Sequence, residues 1–159
     1  MKVPELPKGR YDLVIGDAFN DVSVPYHLTT LEFNEQVRDL LDSEGIYMVN
    51  VVDKLQSGRF LRAFVNTAKR TFPYVYLMHV DPRWDTDVRC TCVVTASLRP
   101  LTTEALQQAS VAAGRGDAVT HTMPPETFAA WLGSRENILL TDDYVPVDNL
   151  TTPLFLESR

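Results

Sequence analysis

The stretch that decides the fold is residues 11–17, which read Tyr-Asp-Leu-Val-Ile-Gly-Asp. Its centre, residues 13–15, is continuously apolar, and this pattern is typical of a parallel strand buried on both faces of a sheet. Residues 18–28 contain Asn, Asp, Ser and Pro and predict a loop. Because ligands of open α/β sheets gather beyond the carboxyl ends of the strands, Asp17 is the first residue placed to do chemistry.

The next segments predict a helix and then a second strand. Thr29 and Glu32 have the spacing of a capping box, in which each side chain satisfies a backbone donor at the helix start. Apolar residues then recur on one helical face, and Gly45 is placed to end the helix. Residues 46–52 form a second apolar run, which predicts another buried strand.

The remainder continues the alternation of helix and strand. Ser57 is a candidate cap for a second helix, which Pro73 would end. The other predicted elements are strands at residues 74–80 and 89–96, paired as an antiparallel hairpin with a long loop, and helices at residues 103–113 and 125–132. Strand–helix alternation predicts an α/β domain with right-handed crossovers and a mostly parallel sheet.

Composition narrows the classes of function. The 159 residues suit one domain, and 45% hydrophobic and 23% charged residues are close to the averages of globular proteins. The net charge of -6 disfavours binding to nucleic acid, which requires Lys and Arg to displace counterions, and it suits a cationic partner. The sequence shows neither the long apolar run of a membrane helix nor a signal peptide, so we expect a cytoplasmic protein.

The two cysteines, Cys90 and Cys92, lie one residue apart in an apolar run. Side chains at i and i+2 of a strand point the same way and are poorly placed to bond to each other. We therefore expect thiols in the core or at the surface and neither a disulfide nor a metal site. A reducing compartment fits this expectation.

Two segments carry a resemblance to a known family. Residues 11–19 (YDLVIGDAF), followed by residues 23–30 (SVPYHLTT), resemble the spermidine synthases, and more closely their divergent, often bacterial, spermidine synthase-like branch. Residues 140–150 (LTDDYVPVDNL) resemble the end of that branch. The resemblance implies a Rossmann-like, three-layer α/β fold of the methyltransferase type. It also implies that residues 1–159 are one partial domain, the C-terminal half of that fold.

The resemblance implies an activity and a set of site residues. Family members transfer an aminopropyl group from decarboxylated S-adenosylmethionine to putrescine or a related amine. Asp17 matches the catalytic aspartate that helps to deprotonate the amine, and Asp17 and Ala18 match positions beside the co-substrate. A second carboxylate is expected three residues after the first, but Asn20 stands there and the acid has moved to Asp21. An amine is protonated at neutral pH, so a carboxylate must bind the cation and accept its proton.

Three further residues are candidate contacts for the amine: Asp21, Tyr26 and Asp143. Each has a simpler explanation. Asp21 has the features of an ordinary loop carboxylate. Tyr26 and His27 have the features of residues that form local hydrogen bonds, and the Asp142–Asp143 pair has those of a solvated turn. No metal site is predicted, because the three histidines are scattered.

The nucleoside-binding motif of the family is missing from this sequence. Its glycine-rich turn and the acidic residue that holds the ribose should precede residue 11, where only residues 1–10 stand. We therefore expect the chain alone to bind decarboxylated S-adenosylmethionine poorly.

Two hypotheses about function follow from the sequence. The chain is a transferase-related domain, complete only with a missing half, with methyl transfer as a further alternative; or it is a non-catalytic assembly module. The second would self-associate, or pair with a complementing chain, through the apolar edge at residues 13–15.

Overall fold

The structure is a computed structural model, and it describes residues 6–18, 24–102, 104, 108, 111, 112, 114 and 121–155. The strands are β1 (Tyr11–Gly16), β2 (Leu41–Lys54), β3 (Tyr74–His79), β4 (Arg89–Ser97) and β5 (His121–Thr122). The helices are α1 (Leu31–Leu40), α2 (Phe60–Thr71), α3 (Pro125–Gly133) and α4 (Val147–Phe155), with a 3-10 turn at Tyr26–Leu28 before α1. The helix expected at residues 103–113 lies mostly outside the described residues, although positions 104, 108, 111 and 112 are helical.

The strands form one sheet in the order β1-β2-β4-β3-β5. The predicted α/β class and the antiparallel β3–β4 hairpin are confirmed. The sheet is mixed, which corrects the expectation of a mostly parallel one: β1 and β2 pair in parallel, and the other three pairs are antiparallel. The reason is that no helix separates β3 from β4. The chain therefore turns straight back after β3, and β4 fills the space between β3 and β2.

Strand β2 shows which face of the sheet carries the core. Its burial alternates, with Tyr47, Val49 and Val51 buried and the residues between them half-buried. The buried face belongs to one apolar cluster with side chains from all four helices, among them Val37, Phe64, Trp131 and Leu150.

None of the described helices is long and apolar enough to cross a membrane.

Strand β1 lies at the edge of the described sheet, as the assembly hypothesis predicted, but it is not buried on both faces as the apolar run suggested. It pairs with β2 on one side, and no described strand pairs with its other side. Val14 packs against the core, but Leu13 and Ile15 point to the other face, where 47% and 63% of their surface is exposed. The apolar run at residues 13–15 therefore belongs to a strand that the described part of the chain covers on one face only.

Helix α1 begins one residue later than the capping-box prediction. Thr30 is the N-cap, and its Oγ1 accepts a hydrogen bond from the Phe33 amide at 3.3 Å. The neighbouring Thr29 instead donates from Oγ1 to the Tyr26 carbonyl at 2.7 Å. The predicted cap at Thr29 is wrong because this residue closes the preceding 3-10 turn.

Gly45 does not end α1, as the sequence suggested, but lies within β2. The helix stops at Leu40, and Leu41 already belongs to the strand. A Cβ atom at Gly45 would lie 2.8 Å from the carbonyl oxygen of Tyr11. This glycine is required by the close approach of β1 and β2 at a register shift between them.

Helix α2 begins at Phe60 and is capped from a distance. Ser57, the predicted cap, lies outside the helix, and its amide donates to Asp87 Oδ1 at 2.7 Å. The cap is Asp53, at the end of β2, whose Oδ2 accepts from the Leu61 amide at 2.9 Å. The predicted end of this helix before Pro73 is confirmed.

Asp53 is almost fully buried, with 1% of its surface exposed. Burial raises the pKa of its carboxyl, and hydrogen bonds from the amides of Leu61 and Lys54 oppose that rise. Arg62, also buried, donates from its guanidinium to the carbonyl oxygens of Gly58 and Trp131 and lies 4.5 Å from the Trp131 ring centre. Burial lowers the pKa of Arg62 to about 10. These contacts join the end of β2, the start of α2 and helix α3.

Substitution of Gly58 tests how tightly this junction is packed. A Cβ atom at Gly58 would overlap the Lys54 carbonyl and the Asp53 carboxylate, neither of which can move without breaking the cap. We expect Gly58→Ala to lower the free energy of unfolding by about 1–3 kcal/mol in urea titrations. Gly133→Ala is the matched control, because nothing lies within 4 Å of its new methyl group and alanine favours the helix. An equal loss in both variants would contradict the packing argument.

The pH dependence of stability tests the burial of Asp53. A carboxyl whose pKa is raised in the folded state contributes stability below its ordinary pKa near 3.8, and loses it as the pH rises through the folded value. The free energy of unfolding of the wild type minus that of Asp53→Asn should therefore fall from about pH 3 to about pH 7.

Asp39→Asn is the control of opposite sign. Hydrogen bonds from Lys8 and then Arg38 lower the pKa of Asp39, so the corresponding difference should rise over the same range. A pH-independent difference for Asp53 would show that its carboxyl titrates alike in the folded and unfolded chain.

Candidate functional site

Asp17 lies where the sequence places it, directly after β1 at the carboxyl edge of the sheet. Its carboxylate is exposed, and Oδ1 accepts a hydrogen bond from Asn50 Nδ2 at 2.9 Å. Because Gly16 is in register with Val49, Asn50 of the adjacent parallel strand stands beside Asp17. The neighbouring strand therefore orients this carboxylate.

Asn50 is a site residue that the sequence reasoning missed. It lies within the apolar run at residues 46–52, in which it is the single polar residue. An amide inside a buried strand requires a hydrogen-bond partner, and this requirement is the signal that would have identified it. The structure supplies the partner as Asp17.

Tyr26 lies in the 3-10 turn before α1 and is 57% exposed. Its ring meets the ring of His27 edge-on at a centroid distance of 5.5 Å. The backbone carbonyl of Tyr26 accepts a hydrogen bond from Thr29 Oγ1. Apart from these two contacts, the Tyr26 side chain projects from the surface of the described chain. It is available to a ligand rather than committed to the core.

Asp143 lies in a tight turn at the other end of the sequence. Thr141 and Tyr144 close this turn with two backbone hydrogen bonds of 3.0 Å, and Asp143 is exposed at its tip. The neighbouring Asp142 is held in place: Thr30 Oγ1 donates to its Oδ1 at 2.7 Å, and its amide donates to Glu32 Oε2 at 3.0 Å. Glu32, predicted to cap its own helix, instead binds this turn.

These contacts bring together the two segments that carry the sequence resemblance. The amide of Leu31 also donates to the Leu140 carbonyl at 2.8 Å, so the turn at residues 141–144 packs against the start of α1. Tyr26, in the 3-10 turn that precedes α1, and Asp143, in the turn that packs against α1, therefore both lie near the start of this helix. The segments are more than a hundred residues apart in sequence, and the fold makes them adjacent.

The structure does not join every predicted site residue. In the described part of the chain, no hydrogen bond or ion pair links Asp17 to Tyr26 or to Asp143. Ala18 follows Asp17 and is exposed, and Asp21 lies outside the described residues. The roles of Asp17, Ala18, Asp21, Tyr26 and Asp143 stay predictions.

One nearby cavity and the buried carboxyl of Asp53 belong to the structural framework and not to the predicted site. A cavity of about 480 Å³ is lined by Tyr144 and by residues that include Arg59, Glu136 and Asn149, but Asp17, Tyr26 and Asp143 do not line it. Asp53 has a raised pKa, a property common at functional sites, but helix α2 uses its carboxylate as a cap. Within the described ranges, no group of three or more His, Cys, Asp or Glu residues is placed to hold a metal ion.

Comparison with known proteins shows a likeness of fold. No family model matches the chain, and no curated protein matches it. The structure of a probable spermidine synthase from Corynebacterium glutamicum ATCC 13032 superposes with a TM-score of 0.68 at 15% identity, over 90% of this chain and 51% of that one. The spermidine synthase from Thermotoga maritima gives a TM-score of 0.41 at 14% identity, over 93% of this chain and 43% of that one.

The first of these likenesses supports the sequence resemblance at the level of the fold. At 15% identity, the match establishes a common architecture and leaves the activity open. The chain spans about half the length of the Corynebacterium protein. It therefore has the α/β fold of a part of a spermidine synthase-like, Rossmann-type domain.

Proposed function

We propose that this chain is the amine-binding part of an aminopropyltransferase-type enzyme of polyamine biosynthesis, in which Asp17 binds a protonated amine. The observation that supports this proposal is the exposed Asp17 carboxylate at the carboxyl edge of the sheet, oriented by Asn50. Among the described residues, Asn50 donates to Oδ1 of this carboxylate, and the proposal assigns Oδ2 to the ammonium group. The free thiols of Cys90 and Cys92 fit a reducing cytoplasm as the compartment.

The proposed chemistry follows from the charge of the nucleophile. An ammonium group has no lone pair, so it must lose a proton before its nitrogen can attack the carbon of an aminopropyl group. A carboxylate that first binds the cation and then accepts the proton supplies both steps. Asp17 has that role here, while Tyr26 and Asp143, exposed beside the start of α1, are proposed to hold the distal part of the amine.

The co-substrate, by the same proposal, is decarboxylated S-adenosylmethionine. We propose that a segment other than this one holds its nucleoside, because the Gly-x-Gly-x-x-Gly pattern typical of a nucleoside site does not occur in this sequence. The chain covers 51% of its structural neighbour, which leaves room for such a segment. Activity is therefore proposed for the completed site and not for this chain alone.

Titration with putrescine tests the role of Asp17. We expect weak binding, with a Kd on the order of 1 mM, because one exposed carboxylate contributes little free energy by itself. Chemical shifts in the ¹H–¹⁵N spectrum should move around residues 16–18 and Asn50. Asp17→Asn should abolish these shifts, whereas Asp12→Asn, an exposed aspartate on the same strand, removes the same charge and should leave them unchanged.

Either of two results would contradict the proposal. Equal loss of shifts in both variants would show attraction by net charge alone, and unchanged binding by Asp17→Asn would exclude that carboxylate as the amine site. Parallel calorimetric titrations with decarboxylated S-adenosylmethionine and methylthioadenosine are expected to show no binding to the isolated chain. Clear binding of either would mean that this chain itself holds the nucleoside.

An assembly role is the second candidate function, and it is favoured by the side of β1 that no described strand covers. An unpaired edge presents backbone donors and acceptors to any strand that can approach. Beside that edge, Leu13 and Ile15 expose apolar side chains on the same face. We propose that two copies of the chain associate through this edge and face.

Light scattering over a range of concentrations tests this association. The wild type should show the mass of a dimer that dissociates on dilution, and Ile15→Lys should shift it to a monomer because a charge opposes burial in an interface. Val80→Lys is the control, since Val80 is 70% exposed and lies outside β1. A wild-type monomer at every concentration, or equal dissociation by both variants, would contradict self-association.

A further inference from the structure

The two cysteines have a geometry that neither proposed function uses. Cys90 and Cys92 lie on β4, with their Sγ atoms 3.6 Å apart. They face the buried side of the sheet, where they are in register with Asp53 and Val51 of β2. Cys92 is completely buried and Cys90 is partly exposed, so Cys90 is the more accessible of the two residues.

We propose that Cys90 and Cys92 form a reversible dithiol–disulfide pair, in which Cys90 reacts first with a small disulfide and Cys92 then closes the bond. The resting state contains both thiols, as the sequence led us to expect. The sequence argument that i and i+2 side chains point the same way is confirmed. The short distance between the sulfurs nevertheless places them within reach of each other after a small rotation.

Strand geometry explains why the pair would be easily reduced. Two residues along a strand separate Cα atoms by about 6.4–6.8 Å, whereas disulfides usually span about 4.4–6.8 Å. A bond between Cys90 and Cys92 would therefore form at the upper limit of that range and strain the strand. Strained disulfides have more oxidising potentials and are the labile ones, which suits a bond that opens again.

The surroundings of the sulfurs assign their roles. The hydrogen bond between them lowers the pKa of Cys90, against the opposing effects of desolvation and of the Asp53 and Asp87 carboxylates. The same hydrogen bond, together with burial, raises the pKa of Cys92. Since the thiolate is the attacking species, the exposed Cys90 is the better nucleophile and the buried Cys92 is the resolving thiol.

Glutathione disulfide is an oxidant that balances the reaction. The Cys90 thiolate attacks one of its sulfurs, the S–S bond breaks, and one glutathione thiolate leaves. Cys92 then loses its proton, attacks the Cys90 sulfur and expels the second glutathione. Two protein thiols are oxidised to one disulfide, and one glutathione disulfide is reduced to two glutathione thiols.

The location of the pair gives oxidation a structural consequence. Cys90 Sγ lies 3.7 Å from the carbonyl oxygen of Asp53, the residue that caps α2. Drawing the two sulfurs together would pull β4 away from its register with β2 at this point. The oxidised chain should therefore unfold at a lower temperature than the reduced chain, and reduction should restore the original value.

The test uses the folded full-length chain, incubated with glutathione disulfide, alkylated and analysed by mass spectrometry. The wild type should lose the mass of two hydrogen atoms, with a Cys90–Cys92 link in its peptides that dithiothreitol reverses. Cys92→Ser should stop at one glutathione adduct on Cys90, because no thiol is left to expel it. Cys90→Ser should remain unmodified, because Cys92 is buried.

Several outcomes would overturn the proposal. These are a link that forms only in urea, stable glutathione adducts on both cysteines of the wild type, and a disulfide between two chains. Circular dichroism of each serine variant establishes that it is folded. The comparison of native with urea-treated wild type decides the question without any variant.

Discussion

The capping of α2 by a buried carboxylate at the end of β2 is the interaction on which the rest of the fold depends. Asp53 is held in the interior although burial disfavours its charge, because helix amides donate to it. Its presence fixes where α2 starts relative to the sheet. Arg62, in the first turn of that helix, donates a hydrogen bond to the Trp131 carbonyl, which links α2 to α3. The indole of Trp131 in turn donates to the Leu55 carbonyl at 2.7 Å. A charge that is costly in isolation thereby organises three elements.

The sheet edge and the candidate site share one cause. In the described part of the chain, strand β1 pairs with β2 alone, so the carboxylate of Asp17 follows an edge strand and not a central one. The same arrangement exposes Leu13 and Ile15. The features that support a partner surface and those that support an amine site therefore lie on the same strand.

The sequence predicted four of the five described strands, most of the helices and the position of Asp17, because periodicity and turn residues report local structure. It missed the two-residue strand β5 and helix α4. It was less successful where a distant residue takes over a local role. Glu32 has the spacing to cap its own helix but binds the amide of Asp142. Likewise, Asp53 and not Ser57 caps the start of α2. The insertion of β4 between β2 and β3 also depends on a crossover that no local pattern records. Asn50 was hidden for the same reason, since its partner lies 33 residues earlier.

The contact between Thr30 and Asp142 spans 112 positions of the chain. Leu140 and Leu150 of the same C-terminal region are buried in the core with residues of the first helix. Synthesis proceeds from the N-terminus, so the start of α1 leaves the ribosome long before the segment that covers it. During that interval the apolar surface that residues 140–150 cover in the folded chain lacks this cover. The core around α1 is therefore completed only after residues 140–150 have been synthesised.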